Sequence, residues 1–592
     1  MKHLPLLFLS LLITIPALQA QHDQLPKGLA PHEVPLIPGY RDSRANASRG
    51  ITAPPDFPVR TMAEWEEVQS LVVTWRSYPE ILKQIVRHAK EECEVIIVCE
   101  DEGDVIGYLQ NDLYGGPIDD LTNITFLNAE SNSIWVRDYG METIYRNEVD
   151  TLMLLDWIYN RPRPDDDALS DAIAQHMGLP IYSTTAAPND LVHTGGNFMA
   201  DGFGTAFSSK LVLDENGPSG DFNQTVKDQA QVEAIMSDFM GIDPGRYILM
   251  ETLPYDEIHH IDMHMKLLDE ETLLVGEFPA GLSDGPQIEA NIGFINGYNS
   301  VFGTPYEFVR IPMPPSTGGN FPPNASYRTY ANNIFINGTV LVPTYRTEYD
   351  TTGLRILRES LPGYNVIGID CDGQDANIIS ASGAIHCITK TIGVEDPLLI
   401  RHQRLRDTYE TVLPYEVNAY IRHRSGIASA RVHWTTDTTQ AFASIEMTAL
   451  AGNEWTASIP AQPAGTEIFY YIEGEANNGK VQVRPIVAPE GWWKFDVLDL
   501  TANIPDVAGP AIVEVFPNPT SSLVMATIEG TGDQNVSISL HDALGREVMR
   551  IHNGRMPADG RVFADLSYLS EGAYLIVVEN RNGRQVSKVV KR

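Results

Sequence analysis

The feature that most constrains the fold is a single change of periodicity. Between about residue 55 and about residue 395, short apolar runs (EVIIVCED, METIYR, TLLVGEF, NIFINGTVLVP, AIHCITK) alternate with helical stretches such as EILKQIVRHAKEE, 80–92. From about 396 the period becomes two, with turn residues between the runs, as in VNAYIRH, ARVHWTT, EIFYYIEGE and WWKFDVL. Strands that alternate with helices argue an α/β domain, whereas evenly spaced period-two strands argue a β-sandwich. The α/β strand signals recur roughly every 50 to 60 residues, which permits a repeated βαβ-like unit arranged about an axis. A second set of period-two strands follows the Pro- and Ala-containing stretch TANIPDVAGPA, 501–511, and reads as a separate unit without helix.

The first twenty residues, MKHLPLLFLSLLITIPALQA, carry one Lys and an apolar run too short to cross a bilayer, then end on the small residue Ala20. That is the pattern of a signal peptide, predicted over 1–20. Residues 21–54 show little periodicity and are expected to form an extended N-terminal segment or propeptide. The formal net charge of −36 is spread along the chain, which argues against nucleic acid and favours a cationic ligand. Of the four cysteines, Cys93 and Cys99 flank one predicted strand and would lie about 20 Å apart, far beyond disulfide reach. A Cys371–Cys387 bridge stays open.

Cys387 lies in SGAIHCITK and could be either a buried hydrophobe or a nucleophile. In IHHIDMHMK, Ile258 to Lys266, an extended strand would turn His260, Asp262 and His264 to one face. Such a face could be catalytic, a zinc site with further ligands, or a solvated strand edge. SIWVRDYG crowds Trp135, Arg137, Asp138 and Tyr139 against a Gly turn. The paired glycines of VHTGGNFMADGFG let backbone approach a ligand or take positive φ, without the context of a phosphate loop. In DWIYNRPRPDDD, Arg161 and Arg163 are planar forks suited to a carboxylate, unless Asp165 to Asp167 neutralise them. Asn332 stands just before a predicted strand, where a turn-forming Asn needs no further role. Taken together these groups suit one reaction: two aspartates grip a guanidinium, Cys387 attacks its central carbon and His260 moves protons.

The motifs IWVRDYG, HTGGN, HID, YxN before a strand and GxxHC, in that order, resemble the agmatine deiminase and bacterial peptidylarginine deiminase group, and DWIYNRPRPDDD resembles the Porphyromonas-type enzymes. The resemblance covers about 55–395. It implies a five-fold pseudosymmetric α/β propeller (pentein) catalytic domain over 55–395, an immunoglobulin-like β-sandwich over 396–500 and a β-sandwich sorting domain of type IX secretion over 512–592. It implies Cys387 as nucleophile, His260 as general acid and base, Asp138 and Asp262 as clamps, and Asn332 as a supporting contact. Trp135, Arg161, Arg163 and Ile258 would bind substrate, the arginines through the α-carboxylate of a C-terminal arginine. Glu257 and His259 depart from the family pattern, and an added carboxylate there would favour a free amine. The expected protein is thus a secreted or surface-attached deiminase converting peptidyl-arginine to citrulline, with agmatine hydrolysis as the alternative. No metal or other cofactor, no nucleic acid and no transmembrane segment is expected. Its partners would be arginine peptides or a small guanidine and the type IX machinery.

Overall fold

The computed structural model describes residues 25–44, 50–222, 224–374, 376–499, 511–529, 535–542, 545–557, 560–580 and 583–592. The expected signal peptide lies outside the described residues. The chain divides into two compact units, 1–497 and 498–592.

Within residues 57–393, one ββαβ unit occurs five times. Met265–Leu267 pairs antiparallel with Thr272–Glu277, which pairs parallel with Glu307–Pro312 after the helix Gly285–Ile295. Ile334–Ile336, Thr339–Thr344 and Asn365–Asp370 repeat this around the helix Thr347–Ser360. Met199–Ala200, Ala206–Ser209 and Tyr247–Met250 repeat it around Gln229–Met240, and Glu142–Arg146, Thr151–Asp156 and Ile181–Ser183 around Leu169–Met177. The fifth unit joins the two ends of the domain. Lys390–Gly393 pairs antiparallel with Val68–Thr74, which pairs parallel with Glu94–Cys99 after the helix Pro79–Ala89. A sheet whose first strand comes from the end of the domain holds its two ends together.

The sequence explains these elements. Glu94–Cys99 lies between two parallel neighbours, so after Glu94 its VIIVC run is continuously apolar and buried rather than alternating. The helix Pro79–Ala89 starts on a proline whose missing N–H costs nothing there, and buries Ile81, Leu82, Ile85, Val86 and Ala89 on one face. Every unit reaches its first strand through a tight turn. Those turns hold Trp135–Tyr139, Gly195–Asn197, Ile261–Met263, Asn332 and His386–Ile388. Five equivalent turns can therefore each present side chains to one place.

Residues 399–497 form two antiparallel sheets around a shared core that includes Val417, Ile421, Val432, Tyr470 and Phe495. Tyr415–Arg422 alternates buried and less buried residues, as the period-two pattern requires. These sheets meet the preceding α/β part through Tyr420 on Glu148 at 2.6 Å and Arg484 on Glu270 at 3.0 Å. In the second unit, two further sheets enclose Val524, Ile538, Leu540, Ile576 and Val589, and its described residues hold strands and no helix.

Two expectations need correction. Residues 21–54 are not simply extended, since Val34–Leu36 is 3-10 and Ile37–Arg44 is α-helical. Tyr40 anchors this helix, donating to Asp167 at 2.6 Å and packing with Ile158, Val192 and Phe222. Such tertiary packing leaves no local periodicity to read. Likewise IHHIDMHMK is not one strand: Ile261–Met263 is 3-10 and only Met265–Leu267 is strand, so His260, Asp262 and His264 do not share a strand face.

Candidate active site

Cys387 is fully buried in the 3-10 turn His386–Ile388, and all four cysteines are free, so no Cys371–Cys387 bridge forms. Its Sγ lies 3.5 Å from Asp262 Oδ2 and receives a hydrogen bond of 3.2 Å from Asn332 Nδ2. Asn332 is thus more than a turn former. Its side chain also accepts from the His386 backbone N–H at 3.1 Å, which ties the Cys387 turn to the neighbouring unit.

Asp138 comes from the short helix Val136–Tyr139 and Asp262 from its own 3-10 turn. His260 Nδ1 lies 3.5 Å from Asp138 Oδ1, and its Nε2 is 3.0 Å from Thr194 Oγ1. Gly196 is what lets these groups converge. A Cβ there would fall 2.6 Å from His260 Nδ1, 2.9 Å from Asp138 Oδ1 and 3.1 Å from Asp262 Oδ2. Of the paired glycines of HTGGN, Gly196 therefore admits side chains and Gly195 admits the Arg137 backbone carbonyl, where the sequence suggested a ligand or positive φ. Gly383 of GAIHC does the same for Trp135, whose ring a Cβ would meet at 2.3 Å.

The centre of the cluster holds a cation from a segment that sequence reasoning passed over. Lys27 Nζ lies 2.8 Å from Cys387 Sγ, 3.7 Å from Asp138 Oδ1 and 3.6 Å from Asp262 Oδ1. Both of those carboxylate oxygens lack a hydrogen-bond partner, so they act through charge alone. Around Lys27 the cleft reads main chain. Trp135 Nε1 donates to Leu25 O at 2.9 Å, Arg161 Nε to Lys27 O at 3.1 Å, and Arg163 Nη2 to Pro26 O at 2.8 Å and Gly28 O at 3.0 Å. The Lys27 N–H donates to Ala381 O at 3.0 Å. Arg163 also forks onto Glu33, Nε to Oε1 at 2.7 Å and Nη2 to Oε2 at 3.0 Å. Ile258 is buried beside Gly28. The run Asp165 to Asp167 does not neutralise the arginines by direct pairing, because its carboxylates take Asn132, Ser133, Tyr40 and Tyr159 instead.

The electrostatics separate the two aspartates. Burial opposes ionisation of both, but Lys27 and the His386 hydrogen bond hold Asp262 well below the usual carboxylate range. For Asp138, burial wins over Lys27 and pushes it up to about 6. Burial, reinforced by Lys27, drives His260 well below its ordinary value, so the imidazole is neutral. Burial and the two aspartates push the Cys387 thiol up to about 12. A protonated His260 is therefore not the thiolate's counter-ion in this state. A cation between the carboxylates is the group that favours the anion, and Lys27 stays charged because Asp138, Asp262 and Cys387 outweigh its burial.

Two further residues belong to the site. His386 Nδ1 meets Asp262 Oδ2 at 2.9 Å, while its Nε2 meets Glu64 Oε1 at 2.8 Å. Glu64 in turn pairs with Lys266. His386 thus fixes the carboxylate oxygen nearest Cys387, and Glu64 fixes His386. His386 could have been suspected from its place beside Cys387; Glu64 in TMAEWEEV carries no local signal.

A buried thiol and two carboxylates thus surround one cation, with a neutral imidazole beside them. The family model for Porphyromonas-type peptidyl-arginine deiminase matches residues 57–392, more than half of the chain, and the chain belongs to that family. It is a deiminase that hydrolyses guanidino C–N bonds. A secretion-system C-terminal sorting domain matches residues 514–592, so the protein is secreted or surface-attached through the type IX system. An agmatine deiminase of Pseudomonas syringae pv. tomato is 23% identical over 299 residues, 46% of this chain and 77% of the relative. Among solved structures, the agmatine deiminase of C. jejuni is similar at 21% identity and a TM-score of 0.46, covering 57% of this chain and 96% of that one. The agmatine deiminase of Enterococcus faecalis is similar at 17% identity and a TM-score of 0.48, covering 59% and 99%.

Proposed function

We propose that the substrate is peptidyl-arginine, with arginine at a peptide C-terminus, and that the products are citrulline and ammonia. The observation that carries this reading is where Arg161 and Arg163 point. Both meet the main chain around the residue whose cation fills the clamp, and Arg163 also forks onto a carboxylate. Agmatine has no carbonyl or carboxylate for either arginine to bind.

Asp138 and Asp262 hold the guanidinium and draw its delocalised charge toward themselves, which leaves the central carbon more electrophilic. Cys387 Sγ, held by Asn332, attacks that carbon as thiolate; an S–C bond forms and a tetrahedral adduct results. His260, neutral at the outset, takes up the thiol proton as the sulfur attacks and delivers it to one amino nitrogen; the C–N bond breaks and ammonia departs, leaving a thiouronium on Cys387. Neutral His260 then takes a proton from water, whose oxygen bonds to the same carbon, and collapse returns the sulfur. The net change is guanidinium plus water to ureido plus ammonium.

The repeated ββαβ unit supports a five-fold α/β propeller (pentein) for 55–395, and the paired sheets support an immunoglobulin-like sandwich for 396–500. The leader would be 1–20 and the sorting domain 512–592. The test compares kcat/KM on a peptide ending in arginine, a peptide with internal arginine, and agmatine. The reading predicts the first to be best, with changing Arg161 and Arg163 to Ala raising its KM far more than that of agmatine. Agmatine as the best substrate, or equal losses on all three, would refute it.

A further inference from the structure

The N-terminal stretch 25–33 occupies every part of the cleft that a C-terminal arginine would need. Lys27 puts an ammonium where the guanidinium belongs, 2.8 Å from Cys387 Sγ. Its backbone carbonyl lies on Arg161 at 3.1 Å. Glu33 puts a carboxylate on the fork of Arg163 at 2.7 and 3.0 Å. The Glu33 side chain is itself fixed by the Ala30 N–H at 2.7 Å, so the stretch folds back to present both charges from one side. Farther along, Tyr40 ties the following helix down on Asp167.

We propose that residues 25–33 are an intramolecular substrate mimic, and that the chain is latent until this segment leaves the cleft. The reading rests on the deiminase site described above. Chemistry explains why the mimic carries lysine. An ammonium satisfies both aspartates but offers no amidine carbon to the sulfur, so the segment binds without being consumed. Tethering raises its effective concentration to about the millimolar range, enough to exclude a dilute free substrate even with modest intrinsic affinity.

The experiment uses the full chain with two substitutions, Lys27→Ala and Lys27→Arg, and two independent readouts. The first is alkylation of Cys387 by iodoacetamide, which needs no turnover. The segment should protect the thiol, and Lys27→Ala, compared at matched thiolate fraction read from the pH dependence of each rate, should speed its modification at least tenfold; equal rates at matched thiolate fraction would overturn the inference. The second is turnover of a C-terminal arginine peptide. Lys27→Ala should lower KM at least tenfold, and in Lys27→Arg the arginine at 27 should itself become citrulline, detected by peptide mass spectrometry. Wild type turning over with the KM of Lys27→Ala would also overturn the inference. If Lys27→Ala exposes Cys387 yet acts on agmatine alone, the segment remains a plug and the substrate reading fails.

Discussion

Gly196→Ala isolates the site's geometry from its chemistry, because it removes no functional group. The new Cβ would lie 2.6 Å from His260 Nδ1, whereas heavy atoms settle at about 3.5 Å, so the imidazole must withdraw by roughly 0.9 Å. Thr194 holds the far nitrogen at 3.0 Å, so the ring cannot yield without also breaking that contact. A misplacement of about 1 Å at a reacting group costs on the order of 100-fold, or about 2.7 kcal/mol of barrier. Asp138 and Asp262, 2.9 and 3.1 Å from the same point, would be pushed apart as well. The expected result, in a Lys27→Ala background and on a C-terminal arginine peptide, is a fall of about 100-fold in kcat/KM. Overpacking should cost about 1–3 kcal/mol of stability, so a cooperative thermal melt should persist. A variant that folds and retains more than a third of the parent kcat/KM would refute the claim that these three side chains converge on one reacting centre.

Further outcomes follow from the same geometry. Asp138 must be ionised to hold the cation and is pushed up to about 6 with Lys27 in place, so without Lys27 its ionisation moves higher still. In Lys27→Ala, kcat/KM should therefore rise with pH through a limb at or above about 6, and Asp138→Asn should lose both that limb and most activity; an unchanged acid limb in Asp138→Asn would assign it to another group. Glu64→Gln leaves His386 with one ionised partner and should lower kcat about 10-fold to 100-fold while moving KM little, as loss of a group that orients a reacting neighbour does; a KM effect alone would mean Glu64 only shapes the cleft. Deleting 514–592 should leave the protein inside a type IX-secreting cell, and undiminished export in fractionated cultures would contradict the sorting role.

The sequence spoke most clearly where periodicity and fixed spacing carry the information. EVIIVCED and the period-two strands were legible because burial on two faces or one leaves its own hydrophobic pattern. Cys387, His260, Asp138 and Asp262 were legible as candidates because each sits in a short motif before a strand, and the repeat brings those turns together. What failed were inferences that local pattern cannot support. IHHIDMHMK alternates like a strand, yet tight turns at Ile261–Met263 override the alternation. Lys27 lies in a stretch without periodicity, and its role comes from carboxylates more than a hundred residues away. Glu64 meets the site at His386, 322 positions distant. The thiol's environment also escaped the sequence, since the burial that keeps His260 neutral comes from the fold and not from the local motif.

The central claim is that Cys387 forms a covalent bond to the guanidinium carbon. The most direct measurement is acid quenching of Lys27→Ala during turnover of an arginine peptide, followed by mass spectrometry of the fragment containing Cys387. The account predicts an adduct equal to the substrate less ammonia, present on Cys387 and absent from Cys387→Ala, which should release no ammonia. Sustained citrulline formation by Cys387→Ala would contradict it.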